Sequence, residues 1–106
     1  MLLATVPFVA VPNDMTMNAT AFALRGRTAS GVHAQSGIVS ADPRILPLGT
    51  VIRVYGAGRY SGTYVVADTG HQIHGMKIDI HVPTAGEARR FGRRRVRVQI
   101  LQRATK

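Results

Sequence analysis

Residues 76–82 read Met76-Lys77-Ile78-Asp79-Ile80-His81-Val82, and this stretch decides how the chain folds. Side chains along a strand alternate between two faces, so Ile78 and Ile80 share one face and Asp79 points away from it. Aspartate is a poor strand former. A carboxylate held in mid-strand has no helix or turn to cap, so it needs another reason to be there, and a groove is one.

Outward from this stretch, short β-branched runs recur between glycines and prolines every eight to twelve residues or so, the pattern of a closed or sandwiched all-β architecture rather than of βαβ units. Candidate strands are Met17–Leu24, Gly37–Ala41, Thr50–Tyr55, Thr63–Ala67, Met76–Val82 and Arg95–Leu101. In the last of them Val96, Val98 and Ile100 oppose Arg95, Arg97 and Gln99, which predicts a half-buried strand. Asp42-Pro43 and Pro47-Leu48-Gly49-Thr50 bracket a turn, since proline fixes its own φ and pushes the preceding residue extended. One helix is predicted, over Thr84–Phe91. Thr84-Ala85-Gly86-Glu87 is a capping box in which the Thr84 hydroxyl takes the Glu87 amide and Glu87 can reach back, and Gly92 supplies the stop. So short a helix holds only by packing on the rest of the domain.

The chain has 106 residues, room for one domain and one core. It contains no cysteine, which excludes a disulfide framework and a thiolate zinc site. Residues 1–10 (MLLATVPFVA) are apolar but lack a basic leading region, contain Pro7 and are too short to span a bilayer. Residues 1–16 are therefore set apart from a barrel domain at 17–106, with a remnant of an export signal and an arm packing on the domain both open. Fourteen Lys and Arg against five Asp and Glu give a net charge of +9, which attracts polyanions without choosing among them. In the densest basic run, Arg89 to Arg97, each arginine taken singly reads as part of a solvated face.

Four segments in order, Gly37-Ile38-Val39-Ser40-Ala41-Asp42-Pro43-Arg44-Ile45-Leu46-Pro47-Leu48-Gly49-Thr50, Ala67-Asp68-Thr69-Gly70, Gly75-Met76-Lys77-Ile78-Asp79-Ile80 and the Glu87–Gly92 helix, resemble the 3D (three-aspartate) domain. That domain is similar to the catalytic barrel of the lytic transglycosylase A family. The resemblance covers about Thr20 to Leu101. It implies a six-stranded double-psi β-barrel with one short helix, in which Asp42, Asp68 and Asp79 gather at one groove. It also implies cleavage of peptidoglycan glycan strands in the cell envelope or outside the cell, with no cofactor. Two departures stand out: the family's usual tyrosine is Phe22 here, and His71 and His74 stand where a glycine and a lysine are usual.

The chemistry suits three carboxylates. Glycan cleavage needs an acid that protonates the leaving oxygen, through a transition state resembling an oxocarbenium ion. In a lytic transglycosylase the sugar's own 6-hydroxyl replaces water, so one carboxyl serves first as acid and then as base and leaves a 1,6-anhydro end. Asp79 is the expected acid/base, with Asp68 raising its pKa by charge repulsion. Asp42, before Pro43, also reads as a turn cap and ranks third. Substrate contacts are expected from Thr20, Phe22, Thr69, Gly70, His71, His74 and Lys77. His-x-x-His in a loop is weak support for zinc, so no metal is expected. The expected partners are peptidoglycan glycan strands and anionic wall polymers. No nucleic acid is expected, because few aromatic rings offer stacking platforms. Oligomeric state, including a strand-swapped dimer, stays open. A non-catalytic wall-binding barrel, similar to expansin-like modules, is the alternative reading.

Overall fold

The structure is a computed structural model that describes residues 14–23, 37–69 and 73–104. Its strands are β1 (Asp14–Phe22), β2 (Ile38–Ala41), β3 (Val51–Tyr55), β4 (Gly62–Asp68), β5 (Lys77–His81) and β6 (Arg94–Gln102), with one helix, α1 (Ala85–Phe91), and a 3-10 turn at Gly58–Tyr60. Strand β1 opens three residues ahead of the expected Met17. The strands close in the order β1-β5-β2-β4-β3-β6, so no edge is left open. β1 with β5 and β2 with β4 run parallel, and the remaining neighbours are antiparallel. The barrel is mixed, and its six strands and one short helix are those of the double-psi barrel that the family resemblance implies.

Alternation fills the barrel. Ile78 and Ile80 of β5, Met17 and Ala19 of β1, Val96 and Val98 of β6 are all at most 1% exposed, while Arg95 and Arg97 lie outside. Truncating an interior isoleucine such as Ile78 to alanine in so closed a core costs about 2–5 kcal/mol. Strand β2 differs in being buried along its whole length.

The helix departs from expectation in one detail. Thr84 Oγ1 accepts the Glu87 amide at 3.1 Å, but Glu87 does not reach back. Its carboxylate accepts instead from the Tyr60 hydroxyl at 2.5 Å and from Arg59 Nη2 at 3.0 Å. Half of the capping box is thus exchanged for tertiary bonds that fasten α1 to the 3-10 turn, and Phe91 completes the attachment by burying itself in the core. Gly92, with φ of 66°, ends the helix as predicted.

Candidate functional site

Pairing register builds the site. On β5 the buried Ile78 and Ile80 force Asp79 outward, and Asp79 pairs with Thr20 of β1 on one side and with Ser40 of β2 on the other. Ser40 in turn pairs with Asp68 of β4. Thr20, Asp79, Ser40 and Asp68 therefore form one row across four neighbouring strands, although Thr20 and Asp79 are 59 positions apart in the chain.

Asp68 joins the row because β4 carries a bulge. Val39 pairs with Val66 and the next residue of β2, Ser40, pairs with Asp68, so Ala67 is the extra residue. Val66 is buried, and strict alternation would turn Asp68 inward beside it. The extra residue resets the alternation and brings Asp68 round to the face of Ser40 and Asp79.

Asp79 is half-buried, and its Oδ1 accepts a hydrogen bond from Thr20 Oγ1 at 2.9 Å. Burial lifts its carboxyl above the ordinary carboxylate value, opposed by the Thr20 hydroxyl and by the positive charge of Lys77, two residues back on the same face. The direction is the one a general acid needs. Its cause differs from expectation, since burial supplies the shift and the Asp68 charge does not figure in it. Physically this follows from the spacing: with β2 between them, the two backbones stand about 10 Å apart at ordinary strand separation, close to a Debye length.

Asp42 behaves as a clamp. Its side chain is 2% exposed and its carboxylate accepts from Arg44 N and Nε at 3.0 Å, from Arg44 Nη2 at 2.6 Å and from Gly75 N at 2.8 Å. These bonds, led by the Arg44 side chain, hold its carboxyl well below the usual carboxylate range. A carboxylate so pinned stays ionised near neutral pH. It ties the turn after β2 to Gly75, whose φ of 74° sets the entry of β5. Asp42 thereby supports the row without standing in it.

Among the expected substrate contacts, Thr20 and Lys77 lie beside Asp79 as described. Phe22 follows two residues beyond Thr20 and packs edge-on against His81, ring centres 6.4 Å apart. The Thr69 amide donates to Asp68 Oδ1 at 2.9 Å, and His74 is exposed ahead of β5. Gly70 and His71 lie outside the described residues. Among the described residues no cluster of three or more potential metal ligands occurs. Ser40 and His81 are residues of this face that the expected substrate contacts did not include. Two-residue spacing from Asp79 is the signal that would have found His81, whereas Ser40 is visible only through strand pairing.

Comparison with known proteins agrees with this fold. The 3D domain family matches residues 37–102. YabE of Bacillus subtilis (strain 168), named as a cell wall shaping protein, is 35% identical over 82% of this chain and 23% of its own length. The cell wall-binding protein YocH of the same organism is 33% identical over 83% of this chain and 32% of its own. The chain thus spans less than a third of the length of these relatives. Among solved structures, the lytic transglycosylase MltA from Escherichia coli aligns with a TM-score of 0.60 and 24% identity over 76% of this chain and 28% of that one. The form with bound chitohexaose aligns with a TM-score of 0.61 at 23% identity over 76% of this chain. At that identity the likeness is one of fold.

Proposed function

The chain belongs to the 3D domain family, and from that membership we propose that its aspartate row acts on the glycan strands of bacterial peptidoglycan in the cell envelope, with Asp79 as general acid/base. The observation that carries the reading is Asp79 itself, an outward, half-buried carboxyl lifted above its ordinary pKa and oriented by the Thr20 hydroxyl. Such a carboxyl keeps a protonated fraction at higher pH than a solvated aspartate does.

The step needs no cofactor. Asp79 gives its proton to the glycosidic oxygen between N-acetylmuramic acid and N-acetylglucosamine, and the bond from that oxygen to the anomeric carbon breaks. The 6-hydroxyl oxygen of the muramic residue attacks the same carbon and returns its proton to Asp79, which closes a 1,6-anhydro ring and restores the acid. Asp68 on the same face carries negative charge toward the cationic sugar at the transition state. Lys77 and His81 flank Asp79 along β5, and in this reading they contact the polar groups of neighbouring sugars.

A second reading, wall binding without cleavage, is favoured by the relative named for cell wall binding. Incubation of the purified chain with peptidoglycan separates the two. Soluble fragments with 1,6-anhydro ends by mass spectrometry are the expected result, and reducing ends would indicate water as nucleophile instead. Retention on peptidoglycan with no released fragment would establish the binding reading and remove Asp79 from catalysis.

A further inference from the structure

The arginine run holds more than a solvated face. The 3-10 turn, the end of α1 and the start of β6 border an open surface cavity of about 460 Å³ lined by Arg59, Tyr60, Arg90, Phe91 and Arg94. None of these residues belongs to the row of Thr20, Asp79, Ser40 and Asp68, so what the cavity binds does not depend on whether that row cleaves glycan.

Two of its three cations are held by contacts within the protein. Arg94, which is only partly exposed, donates from Nε to Phe91 O at 3.0 Å and from Nη1 to Ala57 O at 3.1 Å, and its guanidinium lies 4.2 Å from the Phe91 ring centre. Those bonds use two of the five guanidinium donors, which leaves the planar fork of Nη1 and Nη2 able to donate further. Arg59 lies 5.1 Å over the Tyr60 ring, fastened by Tyr60 and Glu87. Arg90 is exposed beside them. The three arginines against the one carboxylate of Glu87 give a local charge of 3 − 1 = +2, and Glu87 is not part of the lining.

We infer that this cavity binds the phosphodiester group of an anionic polymer. Guanidinium forks match phosphate oxygens in geometry as well as charge, and an arginine already fixed as Arg94 is, by two carbonyls and a ring, loses little freedom on binding. The volume falls in the range of small-ligand sites, about 300–1,000 Å³, and exceeds what a bare ion requires. The Tyr60 and Phe91 rings meet edge to face at 5.4 Å, Phe91 is 3% exposed, and each ring carries a guanidinium over it, so they leave no flat platform for a nucleobase.

The test titrates the chain with inorganic phosphate, with poly(glycerol phosphate) and with single-stranded DNA by calorimetry, alongside sedimentation on peptidoglycan stripped of phosphate polymers. Poly(glycerol phosphate) is expected to bind more tightly per phosphate than inorganic phosphate and more tightly than DNA. The Arg59→Gln/Arg90→Gln pair is expected to weaken it about tenfold or more, from the loss of two charged donors. The charge-matched pair Arg53→Gln/Arg103→Gln should change it less than about twofold, and Arg94→Lys, which keeps charge but not the fork, should weaken it. Binding to stripped peptidoglycan should be unaffected by the Arg59/Arg90 pair. Equal weakening by both glutamine pairs would reduce the effect to net charge and overturn the site. So would polymer binding no tighter per phosphate than inorganic phosphate, or DNA binding that matches the polymer.

Discussion

Asp79→Asn separates the chemistry of this carboxyl from its structural setting, because the two make opposite demands. Asparagine keeps an oxygen that accepts the Thr20 hydroxyl, now 2.9 Å from Asp79 Oδ1, so the pairing of β1 with β5 should survive. What is lost is the exchangeable proton. Removing a general acid/base lowers a rate by roughly 10²–10⁴-fold, about 3–5 kcal/mol of transition-state stabilisation. Stability should move the other way. Burial raises the native carboxyl above its unfolded value near 3.8, so between the two values the native state binds more protons and wild-type stability falls as pH rises. The contribution of protonated Asp79 is complete below the unfolded value and is lost as pH climbs through the native one. The asparagine side chain has no such titration. The melting temperature of the variant should match or trail the wild type near pH 3 and gain on it steadily above about pH 4. Fragment release from peptidoglycan reads the first effect, and thermal unfolding followed by circular dichroism across pH 3–8 reads the second. Full activity in the variant would refute the acid/base role, and parallel melting curves at every pH would refute burial as the origin of the shift.

Asp68→Asn should leave the alkaline limb of the pH–rate profile of the wild type where it is while lowering the maximal rate; a limb displaced toward lower pH would restore charge coupling between the two aspartates. Thr20→Val removes a bond that favours the ionised form of Asp79, so the alkaline limb should move to higher pH, whereas loss of a mere structural contact would lower the rate without moving the limb. Asp42→Asn should speed amide exchange at Gly75 and weaken the register at the start of β5, read by hydrogen exchange, since the neutral side chain cannot hold both Gly75 and the Arg44 fork as the carboxylate does.

How far the chain can be read without its structure depends on whether the information is local. Strand alternation at Ile78, Asp79 and Ile80, the Thr84 cap and the Gly92 stop involve residues within a few positions of one another, and all of them are legible. The bulge at Ala67 is not, because Tyr64-Val65-Val66-Ala67-Asp68 carries no glycine or turn residue to announce it; the extra residue is defined only against β2, more than 20 positions upstream. The same holds for Ser40, an ordinary serine in sequence that becomes the link between two aspartates once β5 and β4 close on either side of β2. Electrostatics fail for a related reason. From sequence, Asp42 and Asp68 are simply charges of the same sign as Asp79; in space Asp42 is neutralised by Arg44 and held by Gly75, and Asp68 lies a strand away. Arg94 shows the converse case. It sits in a run that reads as solvated cations, yet its register opposite Ala19, an interior residue, turns it toward the end of the barrel, onto Phe91 and the carbonyl of Ala57. A charge pattern identifies which residues carry charge, while the closure of the sheet decides which of those charges meet a proton, a clamp or a cavity.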